Sequence, residues 1–400
     1  MTSTLKLQLL SGVAAAAVTV MTAGIANATN GMMPACIGTD RCGMGGAGLA
    51  MGTSATDAAI NPALGANLGN TYQVNLGLFK ADIKGATLNG PNASVDSGAQ
   101  KTSKSVMPNG SLAVNYVIDD TKNFNIYVGP GGGGAAYWPV SRTGGAASVN
   151  DKTMDYKMIH VQPSVSFKYN GASYGVGAVL SRGSIKTNSA YGNVAGADNS
   201  TNSFYGAGFH LGGVWELPKG VKAALAYRSP IWHQHTGTAY NNKVFLSPID
   251  TPQQFSAGIA FEATKGLTLA ADIKHVTYSE TETIGTEPTA GGFGWENQTI
   301  FMLGAEYAMN DMTTLRAGFN HGDSPIAAGK TWENFLYPAT VEDHFTVGAS
   351  HKIGGGMELG FSAYIAPEAT QTDDGSANGG KGTYLKHSQK GFQLSFKNEF

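Results

Sequence analysis

The sequence predicts an all-β fold: a transmembrane antiparallel β-barrel, 14 strands by count of its alternating segments, with an N-terminal hatch inside the lumen. Three observations predict it. A period-two alternation of apolar and polar residues recurs from about residue 72 to the C-terminus, interrupted by Gly, Asn, Asp and Pro. The 400 residues include 55 Gly and only 14% charged positions, about twice the glycine and little more than half the charge of an ordinary soluble domain. An export signal at the N-terminus is followed by no apolar run long enough for a membrane helix.

Residues 1–28 read as a signal peptide. Lys6 supplies the positive flank, the apolar core runs from Leu9 to Ile25, and Ala26-Asn27-Ala28 offers the small residues of a cleavage site. Residues 29–70 lack a strand of useful length and are rich in Gly and Ala, a texture that suits a plug folded inside a wide barrel; a periplasmic tail is the plainer alternative. The barrel itself is expected over residues 71–400.

The strands follow in order. Tyr72, Val74, Leu76 and Leu78 alternate with polar residues. Leu112 to Ile118 and Phe124 to Val128 flank Asp119-Asp120-Thr121-Lys122-Asn123, a hairpin signature. The segments 158–169 and 173–182 join through Asn170-Gly171. Further strands are expected at 204–215, 221–232, 255–262, 267–279, 299–308, 313–320, 344–353, 357–365 and 391–400. An even count suits a closed single-chain barrel.

Closure is required because hydrocarbon leaves no solvent to pair backbone N–H and C=O groups. Charge sorting agrees. Val221, Ala223, Leu225 and Tyr227 on one face put Lys222 and Arg228 on the other. By the same parity Asp272, Lys274, Glu306 and Arg316 face the lumen, with His160, Lys168 and His210. Arg182 shares parity with Leu180 and belongs at a rim. A soluble sandwich would give similar local patterns, but not so many strands with aromatic residues near their ends.

Composition excludes several functions. With 26 Lys plus Arg against 28 Asp plus Glu and no basic block, nucleic acid is not a partner. Gly43-x-Gly45-x-x-Gly48 has the form of a dinucleotide loop but no strand before it, and Pro62 cuts off a long helix. Gly171-Ala172-Ser173-Tyr174-Gly175 resembles a nucleophile elbow but falls in a hairpin turn. His233 and His235 are too few for a metal site and suit an extracellular rim loop. No enzyme activity, metal or cofactor is expected. Cys36 and Cys42 are spaced to pair across a small loop in an oxidising compartment; two free thiols or a weak metal pair are the alternatives.

Several segments, in order along the chain, resemble the FadL family (OmpP1/FadL/TodX) of outer-membrane long-chain fatty acid and hydrocarbon transporters. They are Gly43-Met44-Gly45-Gly46-Ala47-Gly48-Leu49-Ala50, Asn61-Pro62-Ala63, Ala226-Tyr227-Arg228-Ser229-Pro230-Ile231, Leu267 to Asp272, Gly304-Ala305-Glu306-Tyr307, Leu315-Arg316-Ala317-Gly318 and Asp323-Ser324-Pro325-Ile326. The resemblance implies a 14-stranded barrel in a Gram-negative outer membrane, with a hatch that carries Asn61, Pro62 and Ala63. It implies passive uptake of a long-chain fatty acid or apolar hydrocarbon and lateral release into outer-membrane lipid at an inward kink of the third strand. Gly129, Pro130 and Gly131 are the candidate kink, since proline cannot donate to a ladder and glycine permits a sharp bend. Arg228 and Arg316 are candidate contacts for an acid head group. Phe392, Leu394, Phe396 and Phe400 alternate like a last strand read by barrel-insertion machinery. The Cys36/Cys42 pair departs from the family pattern. A general porin for small polar solutes is the alternative function, although a plug opposes its open water path.

Overall fold

The computed structural model describes residues 29–86, 100–102, 106–138, 152–187, 201–236, 249–377 and 380–400, and the expected signal peptide lies outside them. Fourteen strands close into one antiparallel ring. They are β1 (Thr71–Ala86), β2 (Val106–Asp119), β3 (Lys122–Trp138), β4 (Lys152–Tyr169) and β5 (Ala172–Thr187). The ring continues with β6 (Thr201–Glu216), β7 (Lys222–Arg228), β8 (Gln254–Thr264), β9 (Leu267–Val276) and β10 (Gln298–Ala308). It ends with β11 (Thr313–Gly322), β12 (Asp343–Gly354), β13 (Met357–Thr372) and β14 (Tyr384–Glu399), which pairs back onto β1 from Glu399↔Thr71 to Tyr384↔Ala86. Every strand thereby has a neighbour on both sides over at least part of its length, as a sheet in hydrocarbon requires.

One end of the ring carries tight turns and the other long connections, the polarity of an outer-membrane barrel with its short turns periplasmic. The Asn170-Gly171 turn has φ of 49° and 75°, as a two-residue hairpin matching strand twist requires. Outward rows are apolar. Leu76 on β1, Leu303 on β10 and Leu394 on β14 are each about half exposed, at 53%, 55% and 54%. Such rows on neighbouring strands suit lipid, not water. Inward positions are polar and buried, among them Gln73, Asn75, Asn115, Asn125, Gln162 and Asn320. They are buried because residues 29–70 lie against them.

Several elements differ from expectation. β7 ends at Arg228 instead of running to residue 232, because Pro230 lacks the N–H a ladder needs; the Ser229 hydroxyl accepts the Phe209 N–H at 2.9 Å, and pairing to β6 resumes at Trp232↔Ala207 with one residue inserted. β9 stops at Val276, where Tyr278–Glu280 turn into a short 3-10 segment. β14 begins at Tyr384, well before residue 391. Arg182 is exposed on the outer face near the long connections, its guanidinium 6.0 Å from the ring centre of Tyr205. His233 is not on a rim loop: it follows the Pro230 irregularity on a strand segment paired to β6 and is buried, with Nε2 3.0 Å from Ser181 Oγ. The side chain of His235 lies outside the described residues.

Candidate functional site

The N-terminal segment is fastened to the wall by its own backbone. A short helix, Thr39–Cys42, is wholly buried. Thr39 donates to Asn75 Oδ1 on β1 through its N–H at 3.1 Å and its hydroxyl at 2.9 Å. The glycine-rich run follows: Gly45 N–H donates to Thr346 Oγ1 at 2.8 Å, and its carbonyl accepts from Asn320 Nδ2 at 3.0 Å. Asp272 Oδ2 accepts the N–H groups of Gly48 at 2.7 Å and Leu49 at 2.8 Å. A side chain at Gly45 would strike the Phe319 backbone, so glycine lets the two chains touch there.

Charges are paired across the same contact. Arg41, fully buried, meets Asp57 at 3.1 Å and also donates to Thr53 Oγ1. Arg316 Nε lies 2.7 Å from Glu306, and its Nη1 lies 3.4 Å from Asp40 in the helix. Burial alone would raise the Asp40 pKa, but Arg316, with Lys397 and Arg41, outweighs it and holds the carboxyl below its ordinary value. Cys36 and Cys42 are joined in a disulfide, S–S 2.05 Å, that brackets Thr39, Asp40 and Arg41.

Asn61 caps the 3-10 segment Pro62–Asn67, its Oδ1 accepting Ala63 N–H at 3.0 Å. Its Nδ2 donates to Leu49 O at 3.1 Å and to Gly213 O of β6 at 3.5 Å. A Cβ on Gly212 would collide with Asn61, and one on Gly175 with the Pro62 backbone, so Asn61-Pro62-Ala63 sits in a glycine dip of β5 and β6. Arg228 faces inward and donates to Ala59 O at 2.6 Å and Gln162 Oε1 at 3.1 Å.

The wall itself is discontinuous at β3. Pairing of β2 with β3 stops at Leu112↔Val128, although β3 runs on to Trp138 and β2 begins at Val106. The β3–β4 register shifts between Pro130 and Gly132, and Gly132 and Gly133 take φ of 144° and 146°. With no β2 partner, the Gly133 N–H donates instead to Met32 O of the N-terminal segment at 2.9 Å. Gly129, Pro130 and Gly131 thus lie where the ladder is lost, and the ring of His160 lies where a Gly131 side chain would be.

Two small cavities flank this break. One, of about 50 Å³, is lined by Pro130, Gly131, His160, Arg228, Asp272 and Lys274. The other, of about 40 Å³, is lined by Phe79, Ile83, Met107, Gly133, Gly134 and Tyr337. The second is apolar because inward residues turn apolar here: Phe79, Ala81, Ile83, Met107, Ala136, Trp138 and Leu385 pack as one cluster. Above it Tyr278, Phe293, Trp295 and Tyr337 form an aromatic cap, with Trp295–Tyr337 centroids 5.0 Å and Phe293–Tyr337 centroids 5.6 Å apart. The sequence reading missed both groups. Phe79, Ala81 and Ile83 were detectable as a switch of the apolar parity along β1; the cap residues lie in irregular segments, which carry no period.

The family model for outer membrane protein transport proteins (OMPP1/FadL/TodX) matches residues 19–397. The chain belongs to that family. Membership makes it an outer-membrane barrel that carries hydrophobic compounds. Solved structures agree on the fold. The Pseudomonas putida toluene transporter TodX is 14% identical, with 92% of this chain and 99% of that one covered and a TM-score of 0.67. A Pseudomonas aeruginosa FadL homologue is 17% identical, covering 92% and 100%, with a TM-score of 0.66. The Ralstonia pickettii toluene transporter TbuX is 17% identical, covering 92% and 99%, with a TM-score of 0.63. No protein of curated function matches the chain. At these identities the likeness concerns the fold, and cargo must be argued from the residues of this FadL-family chain.

Proposed function

We propose that the protein takes up long-chain fatty acids or related apolar hydrocarbons by passive diffusion and releases them sideways into the membrane between β2 and β3. The observation that carries this reading is the end of the β2–β3 ladder at Leu112↔Val128 beside an apolar inner lining. An unpaired strand edge in hydrocarbon is costly unless the chain nearby serves as a passage or is paired elsewhere, and Gly133 uses Met32 for that purpose. Each buried CH2 of a cargo contributes about 0.8 kcal/mol, so an apolar lining gathers it without an energy source.

The flanking cavities, about 40 and 50 Å³, are too small for a long tail, so residues 29–37 must shift while cargo passes. In this reading 29–70 is the hatch, Asn61-Pro62-Ala63 is its fixed foot, and the Met32 end is its moving part. Arg228 is the head-group contact for an acid, since the cavity beside Pro130 includes it with His160 and Lys274. Arg316 supports the hatch, held as it is by Glu306 and Asp40. Phe392, Leu394, Phe396 and Phe400 serve the insertion machinery.

The test is uptake of a labelled fatty acid and of an uncharged aromatic hydrocarbon by cells that have or lack the protein, with a variant lacking Gly131 and carrying Pro130→Val. Removing the bulge restores a regular edge able to pair with β2, so both uptakes are expected to fall about tenfold while the barrel still resists heat denaturation on a gel. Unchanged uptake sinks the lateral route. Liposome swelling by small sugars at ordinary porin rates would replace the whole reading with a general porin.

A further inference from the structure

Above its apolar belt one side of the barrel turns sharply cationic. On β14 and β1 the last outward apolar pair is Phe392↔Leu78, followed by Lys390↔Lys80, Ser388↔Asp82 and Lys386↔Lys84. Lys101 pairs beside Lys84. Among the described residues the carboxylates within reach are Asp82, 3.5 Å from Lys80 and 2.5 Å from Lys101, and Glu368, 3.8 Å from Lys386. Among the described residues, these five lysines against two carboxylates leave a net charge of +3 across β13, β14, β1 and the short strand Gln100–Lys101 that pairs with β1. The ammonium groups are accessible: the Lys80, Lys101 and Lys386 side chains are 38%, 50% and 42% exposed. From Lys80 to Lys84 the patch extends about 13 Å along the strand at the usual rise per residue.

Among the described residues the neighbouring wall from β9 to β12 has no such charge. At the matching level of β9 to β12 the outward residues are His275, Thr299, His321 and Asp343, and His321 Nδ1 sits 2.8 Å from Asp343. The lysines also lie on the end with long connections, which faces the outer leaflet. A basic patch just above the hydrocarbon, open to solvent and headgroups, attracts an anionic headgroup whose tails lie along the apolar rows below.

We propose that Lys80, Lys84, Lys101, Lys386 and Lys390 form a docking surface for a phosphorylated glycolipid of the outer leaflet. The phosphates pair with the ammonium groups, and the acyl chains lie against Leu76, Leu78, Phe392 and Leu394. The surface adjoins β2, one edge of the wall break, so the lipid held there borders that break whatever the cargo is.

The test uses the purified mature protein in phosphatidylethanolamine nanodiscs. The probes are bis-phosphorylated lipid A, the same lipid with its phosphates removed, and inorganic phosphate. Native mass spectrometry is expected to find bis-phosphorylated lipid A retained at least tenfold more strongly than the dephosphorylated lipid. Retention should weaken as salt rises and should drop about tenfold in a Lys80→Gln/Lys84→Gln/Lys386→Gln/Lys390→Gln variant. The matching Lys→Arg variant should keep it, which separates charge from packing, and heat-modified migration on a gel verifies that each variant is folded. Equal retention by the glutamine variant overturns the proposal. So does loss in the arginine variant, or displacement of lipid A by equimolar inorganic phosphate, which would make the surface a site for free anions.

Discussion

Asp272 in the middle of β9 accepts the backbone N–H of Leu49 at 2.8 Å, and with the neighbouring Gly48 N–H at 2.7 Å it fixes the glycine run of the hatch to the wall. Both bonds are charge-assisted and shielded from water, the setting in which such bonds are strongest. Asp272→Asn keeps the shape and removes the charge. It is expected to cost about 1–3 kcal/mol in hatch docking. Planar-bilayer recordings should then show transient openings that the parent protein lacks, with the heat resistance of the barrel unchanged. A silent channel in the variant would mean that Gly45 and Asn320 suffice.

The ion pairs of the short helix give the hatch an acid limit. Asp40 is held below its ordinary pKa of 3.8, chiefly by Arg316 against the opposing effect of burial. A group whose folded pKa is depressed stabilises the folded form above its unfolded pKa, and that stabilisation is lost as pH falls through the folded value. The hydrogen-exchange protection factors of residues 38–46 should therefore be constant from neutral pH to roughly pH 4, then fall at more acid values. Asp40→Asn should exchange faster at neutral pH and lose the acid-dependent step. Protection factors in the parent protein and in Asp40→Asn that follow the same course on acidification would refute the linkage.

The disulfide encloses the same docking residues. Cys36 and Cys42 are six apart, so the closed loop is short and its entropic contribution is about 2 kcal/mol, confined to the hatch. Cys36→Ser with Cys42→Ser is expected to raise exchange around Thr39 to Met44 and to speed cargo uptake modestly, by about two- to threefold. Barrel stability in urea should not change, since β1 to β14 contain no part of the loop. A large drop in barrel stability would show that the pair acts beyond the hatch.

The sequence carried most of the barrel because each strand repeats one decision, apolar out and polar in. It was blind where another constraint overrode the period. β14 seemed to start at residue 391 because Lys386 and Lys390 occupy outward positions above the hydrocarbon, where an apolar residue is no longer required. The strand pattern continues to residue 232 because Ile231 and Trp232 are again apolar after Tyr227, and only the missing N–H of Pro230 shows the break. Arg316 and Arg228 were legible as inward cations, but their partners were not: Asp40 and Ala59 belong to the hatch, far away in sequence and without a period. The glycines of the kink could be read as a bend, whereas the loss of β2 pairing beyond Val128 is a long-range fact that no local pattern encodes.

The foot of the hatch rests on missing side chains. Asn61 and Pro62 occupy the space that Cβ atoms would take at Gly212 and Gly175. Gly212→Val is therefore expected to push Asn61 off its bonds to Leu49 O and Ala63 N–H, at a cost of about 1–3 kcal/mol for overpacking. Gly69→Ala is the control, because a Cβ there meets nothing within 4 Å. Trypsin cleavage after Arg41, a site sealed in the parent, reports whether the foot has come loose. The decisive comparison is the pair: Asn61→Ala loses its own bonds but also vacates the contested space, so Gly212→Val should cost less in that background than in the parent. If the two costs simply add, the valine acts through the barrel wall and the foot is not seated by the glycine dip.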